Sequence, residues 1–199
     1  MLETFINIIM DESGSMHTKI DDVIGGFNKF LEDQQKLLDP CRMSLTKFNT
    51  ICATVIHATP IGQVKPLSKE TYTPGGNTAL FDAIAQCVRI VDQERKPDER
   101  IVCIIVTDGE ENSSRETTYE QVKEIISKRE AQGDWTFVYL GVSPEQFSKE
   151  MGVASGNTMA YTGTRKDYAT MSASTTAFRG SGMQASQNYI IPEQKKDNT

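Results

Sequence analysis

The sequence predicts a single α/β domain from three features of its pattern. Two apolar runs, Phe5-Ile6-Asn7-Ile8-Ile9-Met10 and Ile101-Val102-Cys103-Ile104-Ile105-Val106, break abruptly into carboxylate, hydroxyl and glycine residues. Buried strands that end in polar loops read this way. Amphipathic segments with apolar residues at three- and four-residue steps alternate with such runs, which is the grammar of strands interleaved with helices. The chain has 199 residues and 38% hydrophobic content. That is enough for one domain with a sizeable core and not for two independent ones.

In chain order, the first strand runs from Phe5 to Met10. Ile20, Val23, Ile24, Phe27, Phe30 and Leu31 then mark a helix from about Thr18 to Leu37, stopped by Asp39-Pro40. Arg42 to Phe48 and Ile51 to Ala58 are β-rich and separated only by Asn49-Thr50. So short a link makes a hairpin, and one of its strands must run antiparallel to the rest. Pro60, Gly62 and Pro66 break any period in the connection that leads to Thr71-Tyr72-Thr73. A second helix follows Ala79, carried by Leu80, Phe81, Ile84, Ala85, Val88 and Val91, and Lys96-Pro97-Asp98 ends it. After the central strand Arg100 to Val106, a helix over Glu116 to Ala131 closes at Gly133. Trp135 to Leu140 reads as a strand, Pro144 to Met151 as a short helix, Met159-Ala160-Tyr161 as an edge strand, and Arg165 to Phe178 as the last helix. The domain is expected to span 1–180. Residues 181–199, rich in Gly, Ser, Gln, Asn and Lys, are expected to form a flexible tail with Tyr189-Ile190-Ile191-Pro192 as its only anchor.

Three loops carry the chemistry. Asp11-Glu12-Ser13-Gly14-Ser15 follows the first strand, Pro74-Gly75-Gly76-Asn77-Thr78 leads into the second helix, and Thr107-Asp108-Gly109 follows the central strand. In an open α/β sheet ligands bind beyond the carboxyl ends of the strands. If these strands are parallel neighbours, Asp11, Ser13, Ser15, Thr78 and Asp108 form one cluster there. All five offer oxygen, the ligand atom of hard divalent cations. Asp and Ser also fill ordinary turns and helix caps, so it is the recurrence of the pattern in three loops that points to a site.

This pattern, Asp11-x-Ser13-x-Ser15 with Thr78 after Gly75-Gly76 and then Asp108-Gly109, resembles the von Willebrand factor type A domain family with an intact metal-ion-dependent adhesion site. The resemblance covers roughly residues 3 to 180. It implies a doubly wound, mostly parallel sheet with one antiparallel edge strand and helices on both faces. It also implies one Mg²⁺, with Mn²⁺ or Ca²⁺ as alternatives, held by the hydroxyls of Ser13, Ser15 and Thr78 and, directly or through water, by Asp11 and Asp108. Three neutral hydroxyls and two carboxylates leave an octahedral ion short of oxygen, and an Asp or Glu of a partner protein would complete its shell. In stand-alone bacterial and phage members the resemblance implies an adaptor or scaffold subunit, sometimes beside an ATPase of the MoxR type.

Composition narrows the function further. A net charge of −6 argues against a general nucleic-acid or anionic-membrane binder, and no apolar run approaches the ~20 residues that cross a bilayer. Cys41, Cys52, Cys87 and Cys103 have no metal-ligand spacing and are expected as small buried residues. With no signal-peptide pattern ahead of the first strand, a reducing, cytoplasmic location is expected. Gly75-Gly76-Asn77-Thr78 lacks the Gly-Lys-Ser/Thr ending of a nucleotide cradle. His17 and His57 are expected at the surface, without partners for a nucleophile triad. Glu12, Glu110 and Glu111 are expected as an acidic rim, either merely solvated or selecting a partner that brings Lys or Arg beside its carboxylate. A binding module rather than an enzyme is expected. The alternative, a Mg²⁺-dependent phosphatase resembling the haloacid dehalogenase class with Asp11 as nucleophile, would have a second Asp where Ser13 stands. A further alternative is a self-assembling protein in which Glu193 of one copy reaches the cation of another. The sequence sets no oligomeric state.

Overall fold

A computed structural model describes residues 2–192 of the chain. Six strands form one sheet: β1 (Thr4–Asp11), β2 (Cys41–Phe48), β3 (Cys52–Pro60), β4 (Arg100–Val106), β5 (Trp135–Gly141) and β6 (Thr158–Ala160). Their spatial order is β3-β2-β1-β4-β5-β6. All neighbours are parallel except β2 and β3, a hairpin whose link is three residues, 49–51, one more than expected, and still short enough to force an antiparallel edge.

Five α-helices cover the sheet: α1 (Ile20–Gln35), α2 (Leu80–Glu94), α3 (Tyr119–Glu130), α4 (Pro144–Met151) and α5 (Arg165–Gly180). Alternation along β1 decides which residues meet which layer. Ile6, Ile8 and Met10 pack with Val23, Phe27 and Phe30 of α1 and Tyr168 and Met171 of α5. Phe5 and Ile9 face the opposite layer, with Ile84 and Val88 of α2, Val122 and Ile126 of α3, and Phe147 of α4. β1, β4 and β5 are buried along their whole length, as strands covered on both faces must be.

Two boundaries differ from the expected ones for identifiable reasons. The first helix divides into a 3-10 turn (Gly14–Lys19) and α1, with Met16 fully buried beneath the turn. Helix α3 begins at Tyr119 rather than Glu116, because the Asp82 carboxylate accepts the backbone N–H groups of Arg115, Glu116 and Thr117 and holds them out of the helix. Thr118 and Gln121 then cap it reciprocally.

The segment expected as a flexible tail lies, over 181–192, against the domain. Arg100, 1% exposed, donates to the carbonyls of Arg179, Ser181 and Met183 at 2.6, 2.9 and 2.8 Å. The Tyr189 ring is buried, with its hydroxyl donating to Thr175 Oγ1 at 2.7 Å, and Ile191 N–H donates to Ser174 Oγ at 2.9 Å. The domain boundary at 180 therefore needs correction. Glu193 and the rest of the tail lie outside the described residues.

Candidate functional site

β1 lies between β2 and β4, so the chain leaves it in one direction toward α1 and β2 and arrives at β4 from the other side. That makes the carboxyl ends of β1 and β4 the switch point of the sheet, where a crevice opens between diverging loops. Parallel pairing sets Met10 opposite Val106, so the next residues, Asp11 and Thr107, come out side by side.

The Asp11 carboxylate is fully buried and held at both oxygens: Ser13 N–H donates to Oδ1 at 2.7 Å and Thr107 Oγ1 donates to Oδ2 at 2.6 Å. Burial pushes this carboxyl up from its ordinary range against the opposing effect of the Ser13 and Thr107 hydrogen bonds, and the charge of Asp108 adds to the rise. The carboxyl is therefore strained as an anion and gains from any cation brought beside it. Tyr72, also buried, donates its hydroxyl to the Asp11 carbonyl at 2.7 Å.

Ser13 Oγ and Ser15 Oγ share a 3.0 Å hydrogen bond, and Ser15 Oγ donates to Asp108 Oδ1 at 2.5 Å. The second Asp108 oxygen pairs with the Lys19 ammonium. The glycine loop is stitched to the first loop through its backbone. Gly75 N–H donates to Glu12 O at 2.9 Å, and Gly14 N–H donates to Gly76 O at 3.0 Å. Gly76 has φ +75°, and a Cβ there would come within 2.7 Å of Thr50 Oγ1, so the loop's path requires glycine. This path delivers Thr78, 4% exposed, whose backbone Asn112 holds from both sides: Thr78 N–H donates to the Asn112 side-chain Oδ1 at 2.9 Å, and Asn112 N–H donates to Thr78 O at 3.0 Å. A Cβ placed on Gly109 would lie 3.2 Å from Thr78 Oγ1 and 3.9 Å from Asp11 Oδ2, so both groups converge on the residue that follows Asp108.

No protein-family model matches the chain, and no curated protein matches it. Solved structures do resemble it in shape. The PilB minor pilin from Streptococcus sanguinis superposes with a TM-score of 0.68 at 11% identity, over 89% of this chain and 61% of that one. Proximal thread matrix protein 1 from the mussel byssus gives 0.64 at 14%, over 89% and 46%. A von Willebrand factor type A protein from Catenulispora acidiphila gives 0.59 at 19%, over 87% and 42%.

The fold is that of a von Willebrand factor type A domain. At these identities the likeness speaks to the fold alone, and the chain spans less than two thirds of the length of each of these three proteins. The mussel protein also has a structure with a zinc-occupied metal-ion-dependent adhesion motif, similar to this chain with a TM-score of 0.60 at 15% identity, over 86% and 44%.

Within this von Willebrand factor type A fold the expected acidic rim is corrected. Glu12 is buried, and its Oε1 accepts from Lys47 Nζ and from Thr73 N–H, both at 2.7 Å. Glu111 is turned inward to accept from the backbone N–H groups of Phe81, Ser113 and Ser114 and from the Ser114 hydroxyl. Both tie loops together, because a carboxylate close to several free N–H groups gains more from them than from water. Glu110 alone of the three stands exposed beside the site. His17 and His57 are exposed, as expected. Cys41, Cys87 and Cys103 are buried and Cys52 half-buried. Among the described residues no helix is long and apolar enough to cross a membrane.

Sequence reasoning missed Thr107, Tyr72 and Lys19. Thr107 adjoins Asp108 and carried a legible signal, a hydroxyl at a strand's carboxyl end. Tyr72 and Lys19 carried none, since their reach depends on how distant segments pack.

Proposed function

We propose that this domain is a cation-dependent protein-binding module. In this reading Asp11, Ser13, Ser15, Thr78 and Asp108 hold one divalent ion, Mg²⁺ with Mn²⁺ or Ca²⁺ as alternatives, and a partner protein contributes an Asp or Glu side chain. The observation that supports it is the joining of three separated loops into one oxygen-lined cluster at the switch point of the sheet. The residues fit such an ion by the chemistry of their donors, which are all hard oxygens. The seat also accepts positive charge, since the Lys19 ammonium pairs with Asp108.

When bound, the ion would supply a Lewis-acidic point for a carboxylate. The chain's own residues do the rest. Thr107 and Ser13 fix the Asp11 carboxylate, the Ser13-Ser15-Asp108 relay orients two hydroxyls, and Tyr72 props the loop from below. A neutral hydroxyl at Ser13, where a phosphatase of the haloacid dehalogenase kind carries an acid, favours binding over hydrolysis. Exposed Glu110 favours a partner with Lys or Arg near its carboxylate.

Titration with Mn²⁺ by calorimetry should show one site in the wild type and none in Asp11→Ala, while both keep the same circular dichroism spectrum. Capture of a partner from host extract should be lost in EDTA. Equal Mn²⁺ binding by both proteins would overturn the proposal.

A further inference from the structure

Lys19 is the third charged group of the site, and its position is built rather than incidental. It closes the 3-10 turn that starts from the Ser13 loop, and its ammonium pairs with Asp108 Oδ2 while Ser15 holds Oδ1. Both oxygens of Asp108 are thus engaged by donors of this chain. The Lys19 side chain is 26% exposed and the Asp108 side chain 5%, so the pair is largely shielded.

The stem of Lys19 crosses Gly163, a buried residue with φ +75° in the loop between β6 and α5. A Cβ at that position would overlap Cδ and come within 2.6 Å of Cε and 3.0 Å of Cγ. No side chain other than hydrogen leaves room for the stem there. The residues on either side are pinned: Thr162 N–H and Thr164 N–H donate to Asp167 Oδ2 at 2.9 and 3.0 Å. The groove under Lys19 is therefore held open by a loop that is itself fixed to the start of α5.

From this geometry we infer that Lys19 is an internal cation that competes with the divalent ion for Asp108, so that loading the site requires the ammonium to withdraw along the Gly163 groove. The inference rests on the metal-binding reading above and adds its regulation. Two cations at one carboxylate repel, and Asp108 has no third oxygen to offer. The ammonium meanwhile offsets the charge that Asp108 places near buried Asp11. The same pairing weakens the grip on the ion and makes loading sensitive to whatever draws Lys19 away, a partner's carboxylate included.

The test is Mn²⁺ affinity of the full chain by calorimetry, with Mn²⁺-dependent thermal unfolding as a second readout. Lys19→Met should bind Mn²⁺ about tenfold tighter than wild type, a coupling of ordinary size between two ligands of one site. It should also melt lower in EDTA and gain more from Mn²⁺. Gly163→Ala leaves the ammonium on the chain but displaces its stem, and should shift affinity in the same direction. Lys19→Arg, which keeps the charge, should stay nearer to wild type than Lys19→Met does. Equal affinities in wild type, Lys19→Met and Gly163→Ala would overturn the competition and leave the metal site standing, as would weaker binding by Lys19→Met. Absence of Mn²⁺ binding in all of them would remove the metal reading itself, and this inference with it.

Discussion

Thr107→Val isolates one atom of the site. The substitution replaces a hydroxyl by a methyl of similar size in a fully buried position, so it removes hydrogen bonds without opening a cavity. The bonds removed are the 2.6 Å donation to Asp11 Oδ2 and the 3.1 Å acceptance from Gly109 N–H. A hydrogen bond to a buried carboxylate contributes about 1.5–3 kcal/mol, and the backbone bond about 0.5–1.5 kcal/mol. Metal-free Thr107→Val should therefore be destabilised by about 2–4 kcal/mol, read as a lower urea midpoint at unchanged slope. Its effect on the proposed metal binding is separate. Under that proposal Thr107 would orient a ligand without being one, and loss of such a partner should weaken metal affinity by roughly 10–100-fold. Calorimetric Mn²⁺ titration of wild type and variant measures this directly. A dissociation constant within twofold of wild type, in a variant whose urea midpoint has fallen as expected, would show that Asp11 orientation does not matter to the ion.

Other consequences are independent of the metal. Arg100→Met keeps the apolar stem but leaves the Arg179, Ser181 and Met183 carbonyls without their donor; the cost should be about 3–5 kcal/mol. Amide exchange should rise selectively over 183–189, and unchanged exchange there would refute Arg100 as the clasp of that segment. Gly26→Ala would ordinarily favour a helix by about 1 kcal/mol. Here the new methyl would overlap the Tyr168 ring of α5, so a net loss of about 1–3 kcal/mol is expected, and a raised urea midpoint would contradict the close α1–α5 packing. Burial raises the Glu130 carboxyl above its ordinary value, despite a backbone hydrogen bond from Phe137 that lowers it. The folded state thus favours the proton, and stability is fully present below the unfolded value near 4.5 and declines as pH climbs through the raised one. Glu130→Gln should abolish that part of the decline, visible as a smaller fall in urea midpoint between pH 4 and pH 7.

What the sequence by itself determined is local and periodic: the strand runs, the helical faces, the forced hairpin, and three loops rich in Asp, Ser, Thr and Gly at the ends of the right elements. These are legible because side-chain alternation and turn chemistry act between residues a few positions apart. The five oxygen-bearing residues of the proposed site stood out for the same reason, since they fall in three short motifs. Only the tertiary structure decided that Glu12 and Glu111 staple loops instead of facing a partner, that Thr107 and Tyr72 hold Asp11, and that 181–192 is clasped by Arg100. It also decided that Lys19 reaches Asp108 across a glycine 144 positions further along the chain. A charged or hydroxylated side chain has many possible partners in sequence, and strand register and helix packing select which of them comes within 3 Å.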